Sequence, residues 1–432
     1  MSVAAALVLA MTFSAERSVQ AAAGGRVEAM AGVVPDNPFD PSEPRFAFAI
    51  VPVAGLSVQR PRYELTALYR PRAFWRVPNR FNLSRPLLLH QASLDHRYVL
   101  SSRTVMQNRF QLSAGEVDYA LSSLVFDPAQ PTVLNDDVTP VLRAQASSSF
   151  GYALQRRWST GVGLDGSYNA PLYGEDAAGF RTSAVAGVEP FLGHQLDGRN
   201  ELTLSAYAGL SWFSTGLREQ AFWGRPDSES GDTTYAVIAP GLRWSHRITE
   251  QTEASLSGGV AYLRVVQGSE LLGAREGDAE TTPIAEAQMQ SQLWRERGRT
   301  LLAGAFAQYR WFFDPILGRP VRRVGGGLNA TLDLPPDWTV RSALSFFTTV
   351  GNDEFAPPEF LTARRFDQTM LRIDVPVTYQ ASRLIGLEFG IRSNLRGPAL
   401  GDGVEINRVE FWGYGAVRFV FDPRDSEAGW AR

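Results

Sequence analysis

The chain has 432 residues, with 42 basic and 45 acidic side chains, a formal net charge of -3 and no cysteine. So even a balance gives no basis for binding nucleic acid or an acidic partner, and the missing thiols remove disulfides, cysteine catalysis and cysteine-ligated zinc together. All the basic residues are arginine, as a GC-rich coding sequence produces, so any use of a given arginine has to be argued from its position.

Residues 1–23 read as an export signal, later removed. VAAALVLAMTFSA is too short to cross a bilayer as a helix, and Val19-Gln20-Ala21 supplies the small residues of a cleavage site, although no basic stretch precedes it. No later run approaches the ~20 apolar residues a spanning helix needs. A membrane could then be crossed only by strands.

From there to residue 421 the sequence alternates. The first strand is placed at Arg26–Val34, running into a polar loop over 35–44. Tight turns follow at Gln59-Arg60-Pro61, Leu100-Ser101-Ser102, Gln155-Arg156-Arg157 and Leu196–Arg199. Four more lie at Thr249–Gln251, Arg295–Gly298, Pro335–Asp337 and Ala381–Arg383. Between these hairpins lie longer connections rich in Gly, Pro, Asp and Glu, at 72–84, 114–138, 214–232, 267–281 and 350–366. The stretch 114–138 is long enough to fold into a channel as a constriction, and reads equally well as an external loop or as a longer strand over 115–125. The pattern is clearest at 366–381, where Leu371, Ile373, Val375, Val377 and Tyr379 share one face and Arg372, Asp374, Thr378 and Gln380 the other. Eight hairpins, a first strand and a last one over RVEFWGYGAVRFVF make 18 strands, with 16 the nearest alternative, in one antiparallel up-and-down barrel spanning 24–421. Residues 422–432 form a short periplasmic tail.

Parity assigns the faces. Leu202, Leu204, Leu210 and Trp212 face lipid, whereas Arg103, Arg109, Arg143, Asp165, Glu201, Glu286, Arg323, Arg341, Arg372, Asp374, Glu388 and Arg392 line the lumen. Alternation alone also fits a soluble sandwich. Tryptophan placement favours the membrane: Trp158, Trp244, Trp294 and Trp338 flank short turns, and Trp75, Trp212 and Trp311 sit toward the long loops, as two interfacial bands require. Barrels this wide hold water. Mixed arginine and carboxylate rows would orient polar solutes or simply pair across strands, and inward Tyr207, Phe347, Trp412 and Tyr414 would stack on sugar rings or pack a rim. Pro52, Pro190, Pro240 and Pro376 inside strands each remove a ladder bond.

The four histidines offer no shared proton, since His90 and Ser93, like Asp95 and His96, lie on opposite strand faces. No metal-ligand spacing occurs, and Gly325-Gly326-Gly327 lacks the context of a phosphate loop. The reading is therefore non-enzymatic, without cofactor or metal.

Tyr414, Phe419 and Phe421 close the last strand, with Ala416 where a glycine is usual and Gly415 beside it. This end resembles the assembly signal of Gram-negative outer-membrane β-barrel proteins. The resemblance implies outer-membrane lipids and the barrel-assembly machinery as partners. In architecture the chain is similar to sugar-specific porins and to porins of polysaccharide secretion. That likeness implies passage of a polar solute or glycan, with a periplasmic export partner in the second case. The alternative is a structural or docking barrel, its lumen blocked, that binds a partner.

Overall fold

Every regular element among the described residues is a β-strand, as period-two alternation requires. The computed structural model describes residues 19–34, 43–77, 86–117, 139–172, 182–214, 232–268, 275–296, 298–314, 319–350, 369–382, 384–397 and 408–420.

The first strands are β1 (Val19–Val34), β2 (Glu43–Arg60), β3 (Tyr63–Tyr69), β4 (Arg72–Val77), β5 (Leu87–Ser101) and β6 (Thr104–Val117). Next come β7 (Thr139–Gln155), β8 (Trp158–Pro171), β9 (Ser183–Gln195), β10 (Asn200–Phe213), β11 (Thr233–Thr249) and β12 (Thr252–Gln267). The last are β13 (Ala279–Glu296), β14 (Arg299–Asp314), β15 (Arg319–Leu334), β16 (Trp338–Val350), β17 (Thr369–Gln380), β18 (Ile385–Gly397) and β19 (Arg408–Val420). All pairings are antiparallel, and β1 pairs with both β2 and β19, from Gly24↔Val420 to Val33↔Phe411. The sheet therefore closes on itself. Because β3 and β4 lie end to end between β2 and β5, the barrel has 18 staves, and the eight tight turns fall within about two residues of where the sequence places them.

Some boundaries differ from the sequence reading. Residues 72–77, read as loop, are strand, because Ala73, Phe74 and Trp75 pair with Ile50, Ala49 and Phe48. The break lies earlier, at Arg70-Pro71. Register on either side, Ala54↔Tyr69 and Ile50↔Ala73, sets Pro71 opposite Pro52, so neither residue has an amide hydrogen to offer the other. Strand β1 begins at Val19, so residues 19–23 of the segment read as an export signal pair with β2, from Val19↔Val58 to Ala23↔Ala54. Strand β6 runs to Val117; the rest of the 114–138 stretch, the 422–432 tail and Phe421 lie outside the described residues.

The other strand prolines are accommodated one-sidedly. Pro190 keeps its pairing with Val162 while the β9–β10 register lapses between Phe191 and Val188. Pro240 keeps Ala206 and opens the β11–β12 ladder, and Pro376 keeps Gly390 and opens β16–β17. Each proline costs one ladder and spares the other.

The outer face is apolar. Leu204, Leu210, Ile238, Leu256 and Leu328 are each more than half exposed, which in water would be a large oily surface and in a bilayer is the hydrocarbon belt. Rings collect at the short-turn rim: Trp158 on His194 (4.1 Å), Trp244 on His246 (5.3 Å), Trp338 on Tyr379 (4.6 Å) and Tyr63 on His96 (5.0 Å). At the other rim Phe48 meets Trp75 at 5.7 Å. Trp311 departs from its expected band: it stacks edge-on against Phe313 at 4.9 Å and lines a cavity in the bore. A closed, even-numbered barrel with an apolar belt and short turns at one end has the architecture of an outer-membrane β-barrel.

Candidate functional site

The bore has two unlike walls. On β15–β19 and β1, inward residues form a dry lattice of charges. The register row Asp374–Arg392–Trp412 continues to Gly32, whose missing side chain makes room for the indole. Arg392 reaches Asp374 Oδ2 with Nη2 at 3.1 Å and Nε at 3.2 Å, Arg372 lies 3.5 Å from the same oxygen, and the Tyr414 hydroxyl donates to Oδ1 at 3.2 Å. Two rows nearer the short turns, Glu388 and Glu28 flank Ala416. Arg26 bridges them over that small side chain, at 3.0 Å to Glu388 and 3.1 Å to Glu28, while Arg418 pairs with Glu388. The ion pairs thus tie β1 to β18 across the closing strand.

Burial makes these pairs obligatory. Arg323, Arg372, Arg392 and Glu388 are 5%, 7%, 5% and 4% exposed, and a charge so enclosed is tolerated only when opposed or capped. Arg323 caps the Phe347 ring from 4.2 Å and Arg392 the Tyr414 ring from 5.2 Å. Three of the four rings proposed for sugar stacking are therefore occupied or enclosed, since Trp412 is only 1% exposed, packed among Met30, Ala47, Ala49, Phe74 and Leu87. Only Tyr207 keeps contact with open space.

The wall from β5 to β14 is wet. It borders two cavities of 730 and 580 Å³ that share Arg109, Ser147, Asp165 and Glu189. Here Arg109 pairs with Asp95 at 2.6 Å with both side chains well exposed, and Arg143 and Glu286 line the larger cavity. Tyr207 crosses from β10 over Gly187 of β9 toward Asp165 of β8. A Cβ at Gly187 or Gly209 would strike the phenol, so both glycines are the bed on which the ring lies. Tyr414, Gly390 and Asp374 make a similar crossing on the dry wall. The middle strand's charge differs: Arg392 stands beside Gly390, whereas Glu189 stands beside Gly187.

The remaining sequence candidates fall into place by position. Arg341 faces the bore, half-buried on β16; Glu201 is exposed near the short turns; Arg103 sits in the β5–β6 turn, outside the wall. Tyr414 points inward and Phe419, 37% exposed, points out. Sequence reasoning passed over Glu189 and the apolar inward residues of β10–β12. Glu189 shares its parity with Gly187, which was the available signal.

No protein-family model matches the chain, and no curated protein matches it. Among solved structures it is similar to the copper transporter OprC, at 10% identity and TM-score 0.48, covering 94% of this chain and 82% of that one. It is also similar to OccAB2 of Acinetobacter baumannii, at 8% identity and TM-score 0.43, over 93% of this chain and 98% of that one. A third is OccK2 (OpdF) of Pseudomonas aeruginosa in complex with glucuronate, at 10% identity and TM-score 0.43, again over 93% and 98%. The likeness is one of architecture alone.

Proposed function

We propose that this protein is a bacterial outer-membrane channel through which polar solutes pass, without catalysis or cofactor. The observation that carries the reading is the wet wall: within a closed 18-stave barrel, charged and hydroxyl side chains surround cavities of 730 and 580 Å³. A hydrophilic bore behind an oily belt is the geometry of aqueous passage. Oligosaccharide or polysaccharide is a finer reading, supported by the accessible face of Tyr207 beside Asp165 and Glu189. In this reading the export signal lies within residues 1–23, ahead of the stretch from Val19 that β1 pairs with β2, and the barrel-assembly machinery reads Tyr414, Phe419 and Phe421. A periplasmic export partner belongs only to the polysaccharide version.

The test is single-channel recording in planar bilayers. Steady conductance is expected, and a barrel sealed at every voltage overturns the proposal. A specific observation favours the second reading, a docking barrel with a blocked lumen: the inward residues Phe347, Trp412 and Phe213 are each 1% exposed. Sealed recordings together with capture of a periplasmic protein by the short-turn rim would select it.

A further inference from the structure

An aqueous bore predicts polar residues at inward positions, yet β10–β12 carry the opposite at their long-loop ends. Phe213, Tyr235, Val237, Ala261, Leu263 and Val265 all face inward and are 0–6% exposed. Phe313 of β14 reaches over to them, its ring 5.6 Å from Phe213 and 5.3 Å from Tyr235. The result is an apolar pad inside a hydrophilic channel. Beside it Thr233, paired with Phe213, has a fully buried hydroxyl without a hydrogen-bond partner among the described residues, a cost that the pad's self-packing does not explain.

Going down the wall, the pad gives way to a recess and then to charge. The row Ser205–Gly241–Gly259–Ile284 places two bare glycines side by side, and the next inward row is Thr203–Arg243–Ser257–Glu286. The 730 Å³ cavity spans all three zones, from Phe213, Trp311 and Phe313 to Arg243, Glu286 and Arg310. Both signs are present at the ionic end, and no described residue forms an ion pair with Arg243, Arg310 or Glu286.

From this juxtaposition we infer that the cavity is a binding station for small zwitterions that bear an apolar side group, the side group in the glycine recess against the edge of the pad at Phe213, Trp311 and Phe313 and the paired charges on Arg243, Arg310 and Glu286. Apolar area removed from water supplies the affinity, and opposed fixed charges select a ligand with both signs. The inference deepens the channel reading by naming a solute class, but binding to the station does not require conduction.

Calorimetry on the detergent-solubilised full chain, with phenylalanine, glycine and phenylethylamine as probes, separates the two. Phenylalanine is expected to bind roughly tenfold or more tightly than glycine, the worth of one buried apolar side chain, and more tightly than phenylethylamine, which lacks the carboxylate. Filling the recess by Gly241→Leu should abolish that preference. A Cβ at Gly241 meets only the Gly258 carbonyl, at 3.6 Å, so the strand accepts it. Glu286→Gln, which leaves the pad intact, should weaken phenylalanine and phenylethylamine alike, because it removes the partner of the ammonium group that both carry, whereas Arg243→Gln should shrink the advantage of phenylalanine over phenylethylamine. Equal binding of phenylalanine and glycine, or a preference that survives Gly241→Leu, overturns the station. Binding without conductance in planar bilayers would remove the channel instead and leave the station standing.

Discussion

The two walls of the bore use the same alphabet to opposite ends. On β17–β19 a tyrosine spans a glycine to an aspartate and arginines close over the assembly; on β8–β10 a similar tyrosine is left open, with Gly187 opposite the aspartate where Arg392 stands on the other side and Glu189 at the next inward position. Enclosed charges must be matched partner by partner, whereas exposed ones are matched by water. The dry wall therefore contributes rigidity and closure, and the wet wall is free to handle solute. An ion pair's place in the barrel, rather than its identity, decides which task it performs.

The sharpest way to break this contrast is Asp374→Ala. It removes the carboxylate that Arg372 and Arg392 share in a buried site, and a loss of about 3–5 kcal/mol is expected, read as a lowered urea midpoint of the heat-modifiable folded band. Asp165→Asn on the wet wall should cost less than about 1 kcal/mol by the same measurement while shifting the channel's reversal potential toward anions. Equal losses at the two sites would erase the distinction. Ala416→Leu comes next: the side chain would fill the passage through which Arg26 reaches Glu388, and overpacking there should cost about 1–3 kcal/mol and slow closure between β1 and β19. Removing the exposed Arg109–Asp95 pair by Arg109→Gln should change stability by no more than about 1 kcal/mol.

The smallest effect lies outside the membrane, in the β9–β10 turn. Backbone amides of Arg199 and Asn200 and the Asn200 side chain donate to Asp197 and hold its carboxyl below the usual carboxylate range. A depressed value in the folded state means stability present above the ordinary aspartate pKa and lost as pH falls through the folded one. Asp197→Asn should thus lower the urea midpoint at neutral pH and make no difference in strong acid. A deficit independent of pH would rule out the charge as its cause.

Much of this was legible in the sequence, for physical reasons. Period two fixes which residues share a face, so Arg372, Asp374, Arg392 and Tyr414 declared themselves inward together, and turn chemistry located all eight hairpins. What alternation does not carry is the third dimension of the bore. It assigns Phe347 and Tyr207 the same face without saying that a guanidinium covers one ring and open space borders the other. Nor does it reveal that Trp311 and Phe313 both serve the interior, because the neighbours there come from β10 and β11, about 80 to 100 residues earlier in the chain. The strand prolines looked like breaks in the pattern; paired ladders on one side let them stay.

Pro52 facing Pro71 divides the seam between the second and third staves into two separate zippers, Ala54–Arg60 and Phe46–Ile50. Fraying that starts at the Pro61–Arg62 turn has no amide to carry it past that pair, so on this seam damage at the periplasmic lip is quarantined from the cell surface.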